Sequence, residues 1–410
     1  MQTGGGTQQA ESDKGTARAG TRQAVTAGIV TALVGYTGAF AVVLAGLQGV
    51  GASPGQAASG LAALCFAMGA ATILLAVRYR TPITIAWSTP GAALLATTGV
   101  VEGGWPAALG AFAVVGVLLV LTGIVPWLGR LIAAIPTSIA QAMLAGILVP
   151  ICLAPVQAVL ETPAVVAPVL VVWVVMLAWR PRWAAAVAIA AALLIAVVTV
   201  GTGGGLATLP LPGVALEPVL PTLGWQAVVG IALPLWLVTL ASQNVPGVAV
   251  LGSFGYQVPW RGTLAVTGAG TLLAAPFGGH AINLAAISAA LAASPDAGPD
   301  PDRRWRAAAV AGGGYLVLGV LSATVTVLVL AGPPGLLQAA AGLALAATLG
   351  HAAAGALGQP DVREAAVVTF LIAASGISVA GIGAAFWALL AGLVVRWAML
   401  RPGLAARSPA

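Results

Sequence analysis

Pro82-Ile-Thr-Ile-Ala-Trp-Ser-Thr-Pro-Gly91 is too short and too interrupted to cross a bilayer as one helix, yet it sits in a row of apolar segments that can. Ser88 or Thr89 suits the cap of a helix whose first position is Pro90, because proline lacks only an N–H that a helix start leaves unbonded. The residues before it, Ile83 to Trp87, read as extended chain. At membrane depth such backbone is tolerable only if buried in protein or lining a cavity. A second stretch, Pro276-Phe-Gly-Gly-His-Ala-Ile-Asn283, has the same character: Gly278 and Gly279 break the run, and a helix is expected to begin near His280. Two half-helix N-termini facing each other would present free N–H groups and partial positive charge, which attracts an anion.

The chain around these stretches has the composition of a membrane-embedded helical protein. Of its 410 residues 60% are hydrophobic and 6% charged, against roughly 25% charged in a soluble domain. Sixteen basic and ten acidic side chains cannot cover a soluble fold of this size without large apolar patches. Soluble globular, disordered and disulfide-stapled classes are therefore excluded. Cys65 and Cys152 lie in apolar runs, offer neither a disulfide framework nor a metal set, and read as packing residues. Lys14 is the only lysine, so the GxxxxGK[ST] phosphate loop cannot occur, and no GxGxxG is present. No metal or other cofactor is expected. The net charge of +6 is strung along the chain in small groups rather than gathered on one face, which argues against nucleic acid as a partner.

Apolar segments fall at 24–46, 54–77, 82–98, 105–126, 131–153, 163–179 and 183–200, then at 225–244, 260–275, 276–294, 307–332, 334–356, 365–379 and 382–400. With fourteen spans and an inside N-terminus, every basic residue falls on one side. The inside loops carry Arg78, Arg80, Arg130, Arg180, Arg182, Arg261, Arg303, Arg304, Arg306 and Arg363. The tails carry Lys14, Arg18 and Arg22, then Arg396, Arg401 and Arg407, whereas the outside loops hold Glu102, Glu161 and Glu217. Positive residues favour cytoplasmic loops, so both termini are placed in the cytoplasm of a multi-pass protein. Residues 1–23 read as a disordered cytoplasmic tail and 401–410 as a second one. Seven spans per half make the halves enter the membrane in opposite directions, an inverted repeat. The two interrupted stretches are spans three and ten, each third in its half; that correspondence marks the expected substrate site.

His280 is the one ionisable side chain placed deep in a span, a functional position by default. Set in the first turn of a half-helix, it should take up a proton when an anion arrives beside it, so that the two bind together. An inter-helix hydrogen bond from a neutral ring is the structural alternative. His351 reads as an ordinary polar residue near the end of span twelve. Span eight ends in Ala241-Ser-Gln-Asn-Val-Pro-Gly247, where the Gln243 and Asn244 amides can donate to a carboxylate or join helices. Tyr36, in Val34-Gly-Tyr-Thr-Gly38 of span one, is their counterpart in the first half, and Asn283 lies where it can orient His280. Trp87, Phe277, Tyr36 and Phe40 are candidates for an aromatic lining.

With Trp87-Ser-Thr-Pro-Gly91, Gln243-Asn-Val-Pro-Gly247, Pro276-Phe-Gly-Gly-His-Ala-Ile-Asn283, Ile135-Pro136 and Ala142-Met-Leu-Ala-Gly146, the chain resembles the bacterial benzoate:proton symporters from about residue 22 to 400. The resemblance implies the fold shared with nucleobase and sulfate/bicarbonate transporters: spans 1–4 and 8–11 (24–126 and 225–332) as a core domain, and spans 5–7 and 12–14 (130–200 and 334–400) as a gate domain. It also implies a homodimer through the gate and location in the bacterial inner membrane. Substrate would lie between spans three and ten, against Tyr36, Trp87, Ser88, Thr89, Gly91, Gln243, Asn244, Phe277, Gly278, Gly279, His280 and Asn283. Nucleobase members of that fold tend to carry acids in spans eight and ten; Gln243 and His280 here fit an anion instead. The expected function is secondary active symport of benzoate or a related aromatic monocarboxylate with a proton, with no enzymatic activity. The alternatives are another small organic anion, a nucleobase, or a passive anion channel.

Overall fold

Uninterrupted apolar runs leave the backbone no partner but itself, and helix is the local solution. In the computed structural model, which describes residues 5–202, 213, 214 and 216–400, most of the chain is helical. The first half holds α1 (Gly5–Thr37), α2 (Phe40–Gly49), α3 (Pro54–Tyr79), β1 (Ile85–Trp87), α4 (Thr89–Thr98), α5 (Gly104–Ile124), α6 (Pro126–Ala133), α7 (Thr137–Glu161), α8 (Pro163–Trp179) and α9 (Ala184–Thr202). The second half begins with α10 (Trp225–Ala227), α11 (Leu233–Thr239), α12 (Val245–Ser253) and α13 (Trp260–Ala274). There follow β2 (Ile282–Leu284), α14 (Ile287–Ala293), α15 (Trp305–Leu330), α16 (Leu336–Leu357), α17 (Arg363–Ala374), β3 (Ser378–Val379), β4 (Ile382–Gly383) and α18 (Ala384–Met399). Among the described residues, eight helical runs are long and apolar enough to cross a membrane, and α8 and α18 are shorter apolar helices.

Each expected apolar segment falls on a helix, or on a strand joined to a helix. Three details differ. Residues 5–23, expected as a disordered tail, belong to helix α1, where Gln8, Gln9, Ala10 and Glu11 are good helix formers and extend a helix already nucleated by the apolar run behind them. Residues 401–410 lie outside the described residues. Span eight does not stop at Asn244: α10, α11 and α12 are joined by π turns at Val228–Ala232 and Leu240–Asn244 into one run, Trp225–Ser253. Pro234 and Pro246 follow those turns, so the wider i→i+5 spacing accommodates a missing N–H and a ring that an α-turn would crowd. The third difference, the start of the half-helix after His280, belongs to the site.

Helices approach closely through glycine. α3 meets α15 where a methyl on Gly69 or on Gly312 would come within 2.8 Å of the other's carbonyl oxygen. α5 meets α13 in the same way at Gly116 and Gly268, with the corresponding approaches 2.8 and 2.7 Å. Bilayer lipid supplies no hydrophobic drive between helices, so such backbone contact is what holds these pairs together.

Candidate functional site

The extended pieces expected in the two interrupted spans find each other. β1 and β2 pair antiparallel, with Ile85 opposite Leu284, Ala86 opposite Asn283 and Trp87 opposite Ile282. Two further bonds close the ends of the ladder: Ser88 N donates to the Ala281 carbonyl (2.9 Å) and Ala285 N to the Thr84 carbonyl (3.0 Å). In this register a two-fold axis between Ala86 and Asn283 exchanges Ile85 with Ile282 and Ser88 with Ala285.

A two-stranded ribbon leaves outward N–H groups, which are costly if unpaired in a buried apolar setting. Ile85 N donates to Thr72 Oγ1 of α3 (2.9 Å), and Ile282 N, its two-fold mate, donates to Thr271 Oγ1 of α13 (3.0 Å). Leu284 N donates to Asn244 Oδ1 (3.0 Å), while Asn244 Nδ2 donates to the Thr239 carbonyl (3.2 Å). Both ends of the Asn244 amide are thus bonded within the protein, and the second π turn of span eight clamps β2. Thr84 and Ser288 hydroxyls meet at 3.0 Å beneath the ladder.

Ser88 is the hub on the first strand. It caps α4, its Oγ accepting from Gly91 N (3.2 Å), with Thr89 and Pro90 as the first two helical residues. The same Oγ accepts from the Thr239 hydroxyl (2.8 Å). Gly91 is required there, because a methyl would lie 2.7 Å from Ser88 Oγ.

His280 does not occupy the first turn of a helix. It stands in the extended segment before β2, and α14 begins only at Ile287. The ladder explains the shift: residues 281–285 bond to the first strand before the chain is free to coil. The His280 side chain is 0% exposed. Its Nε2 lies 3.2 Å from the Ser88 carbonyl, an acceptor only, so that nitrogen carries the hydrogen. Nδ1 has no partner among the described residues. The ring stands edge-on to Phe112 of α5 at 6.3 Å, and Phe112 meets Trp105 in the same manner at 6.1 Å.

The other expected residues distribute around this centre. Tyr36 stacks on Phe40 (5.4 Å) and meets the Trp87 ring at 5.6 Å; its buried hydroxyl has no partner among the described residues. Asn283 Nδ2 donates to the Leu284 carbonyl (2.9 Å), its Oδ1 is unpartnered among the described residues, and no bond joins it to His280. Gln243 lies half-buried in the second π turn, and Thr89 is half-buried at the start of α4. Gly278, at φ +95°, and Gly279 turn the chain between α13 and β2, with Gly278 tight against Gly60 and Trp105. Phe277 is not part of the group: it lines an apolar groove between α3 and α13 with Phe66 and Leu273. His351, exposed on α16, bonds the carbonyl of Ala347 one turn back.

Thr72, Thr271, Thr239 and Phe112 escape a reading of the two broken spans because they sit on neighbouring helices. A signal for the threonines is present: Gly69-Ala-Ala-Thr-Ile-Leu74 on α3 recurs as Gly268-Ala-Gly-Thr-Leu-Leu273 on α13. Each copy supplies both a helix-contact glycine and a strand-anchoring threonine.

Known proteins agree with this architecture. Residues 19–398 match the family described as benzoate membrane transport protein. The inner membrane protein YdcO of Escherichia coli K12 is 41% identical over 371 residues, covering 89% of this chain and 93% of that one. The benzoate membrane transport protein of Acinetobacter baylyi is 29% identical over 390 residues, covering 92% and 95%. Among solved structures, the transmembrane domain of a cyanobacterial bicarbonate transporter, BicA, superposes with a TM-score of 0.55 at 16% identity over 92% of this chain and 97% of that one. The murine anion transporter Slc26a9, in its inward-facing state, gives 0.63 at 13% identity over 91% and 68%. At such identities these two show a shared fold. The chain is a multi-pass integral membrane protein and belongs to the benzoate membrane transport protein family.

Proposed function

We propose that this protein is a secondary active transporter that moves benzoate or a related aromatic monocarboxylate together with a proton across the bacterial inner membrane, both of its termini being cytoplasmic. The observation that carries the reading is His280, fully buried beside the strand pair, with Nε2–H on the Ser88 carbonyl and Nδ1 unpartnered among the described residues. A second proton can go only to Nδ1. The resulting imidazolium is costly in apolar surroundings unless an anion sits next to it, and a buried carboxylate is costly without a cation. Each therefore favours the other, and by linkage the effect is reciprocal. Ser88, Thr89 and Gly91 at the start of α4, with Gln243, Asn244, Gly278, Gly279 and Asn283 around β2, shape the polar part of the site; Tyr36 and Trp87, whose rings meet at 5.6 Å, are the aromatic candidates for the ring, and Phe277, on the groove between α3 and α13, is not.

The same reading places the site in fourteen spans arranged as a seven-plus-seven inverted repeat. The two-fold register of β1 and β2, the matched Thr72 and Thr271 anchors and the matched Gly69–Gly312 and Gly116–Gly268 contacts support it. In this reading residues 24–126 and 225–332 form a core that carries the site, moving against a gate of residues 130–200 and 334–400, through which two copies associate. The relative named as a benzoate transport protein, at 29% identity, supports the substrate class.

Uptake of labelled benzoate into sealed vesicles under an imposed pH gradient, with a panel of competing acids and nucleobases, tests the reading. Accumulation above equilibrium, following the proton gradient, is expected. Entry that only equilibrates would identify a channel. Competition by another anion or a nucleobase, with no benzoate entry, would overturn the substrate.

A further inference from the structure

A cavity of about 580 Å³ opens away from the strand pair, where the end of α5 meets α6, the start of α7, the middle of span eight and the start of α13. Its walls include Met143, Leu240, Val245 and Trp260, and two guanidinium-bearing residues line it, Arg130 of α6 and Arg261 of α13. Both arginines are exposed, neither has an ion pair among the described residues, and no acidic residue is part of the lining. Its volume lies within the roughly 300–1,000 Å³ typical of small-molecule sites. At the other end of α7, about 36 Å away at 1.5 Å per residue, a smaller cavity of about 370 Å³ has the opposite chemistry: Gln48, Gln157, Gln338 and Glu161, with no basic residue. The two ends of the molecule thus treat an anion differently.

We infer that the Arg130–Arg261 cavity is a second binding station for an aromatic carboxylate, separate from the strand-pair site. The class of ligand rests on the function proposed above; the station itself rests on the cavity. An aromatic acid is an apolar body with one charged end, and this cavity is an apolar chamber with two guanidinium groups that have no ion pair among the described residues. Arginine presents paired N–H donors that match a carboxylate, and Trp260 supplies a flat face for a ring. The chamber is also connected to the site. Its wall includes Leu240 and Ala241 of the second π turn, the turn whose Asn244 bonds Leu284 N of β2. A carboxylate held here rests against the element that clamps the strand pair, on the face where the charge distribution of the sequence places the cytoplasm. An anionic lipid headgroup offers the same charge, but two acyl chains do not need a cavity that extends inward along span eight to Leu237.

Protection of arginine from phenylglyoxal, read by peptide mass spectrometry on the full-length protein in detergent, tests the station without requiring transport. Benzoate is expected to slow modification of Arg130 and Arg261 by about threefold or more at saturation, to leave Arg303 and Arg306 unaffected, and to lose this effect in molar salt. Benzamide and acetate should protect neither, one lacking the charge and the other the ring. Protection should persist in His280→Gln. Equal protection by benzamide or acetate, protection by phosphatidylglycerol alone, or loss of protection in His280→Gln would each overturn the inference. In vesicles, the double variant Arg130→Gln/Arg261→Gln should raise the half-saturating benzoate concentration about tenfold, and Arg130→Lys/Arg261→Lys should recover part of that loss, lysine keeping the charge but not the paired donors. An unchanged half-saturation would overturn it as well. The two readings fail separately: protection without benzoate uptake sinks the proposed function alone, and benzoate uptake without protection sinks the second station alone.

Discussion

His280 combines two properties that rarely coincide: complete burial and a ring nitrogen with no partner among the described residues. Glutamine at this position keeps an N–H for the Ser88 carbonyl but cannot take up a proton. His280→Gln is therefore expected to fold, to bind benzoate weakly, and to abolish accumulation driven by a pH gradient; uptake that still follows the gradient would remove His280 from the coupling. His280 and the Ser88 cap are legible in the sequence because each departs from its surroundings, one by charge and the other by standing just before a proline. The partners Thr239 and Phe112 are not, since a hydroxyl or a phenyl ring in an apolar helix looks the same whether it faces lipid or a site. Asn244 illustrates the limit from the other side: the amide is conspicuous, but only the structure reveals that both of its ends are bonded to backbone.

At the scale of elements, the β1–β2 ribbon depends on helices that flank it. Replacing Thr72 with Val removes the acceptor for Ile85 N, and Thr271→Val does the same for Ile282 N. Each leaves a buried N–H unpaired, at a cost of about 1–3 kcal/mol. Because the anchors are two-fold mates, the two variants should lower the thermal unfolding midpoint in detergent to a similar extent, with Thr→Ser restoring most of it. A large loss at one position and none at the other would show that the ribbon is not anchored symmetrically. Glycine and proline disclose where regular helix ends but not what replaces it. At Pro276–Asn283 the replacement is a strand that delays the next helix to Ile287; before Val245-Pro246 it is a π turn, Leu240–Asn244, that lets the helix continue to Ser253. Which occurs depends on whether an unpaired neighbour is at hand, and that neighbour is some two hundred residues away in the chain.

For the whole molecule, scarcity of charge makes the architecture readable. So few ionisable residues are present that each one's side of the membrane constrains the span count. The expected orientation can be measured with single cysteines placed in a background lacking Cys65 and Cys152. Cysteines at Glu102, Glu161 and Glu217 should react with a membrane-impermeant maleimide added outside intact cells, and those at Arg80, Arg180 and Arg363 only after the membrane is opened. Reaction of either group from the wrong side would change the span count. Packing between helices is much less legible, because glycine is everywhere in the chain: among its 54 glycines, contact points such as Gly69 and Gly312 look no different in sequence from Gly129 or Gly313, which have open space around them.

The cross-half ladder also bears on how the protein is made. Ser88 N bonds to Ala281 and Ala285 N to Thr84, so neither broken span can satisfy its own backbone when it leaves the ribosome. Span three must wait in the translocation machinery, or shelter in protein, while nearly two hundred more residues are synthesised. Biogenesis is then an all-or-nothing assembly in which the second half completes the first. Expressed alone, residues 1–212 should be degraded rapidly, and co-expression with residues 213–410 should restore their abundance; a stable N-terminal half on its own would mean that span three finds other partners before its mate arrives.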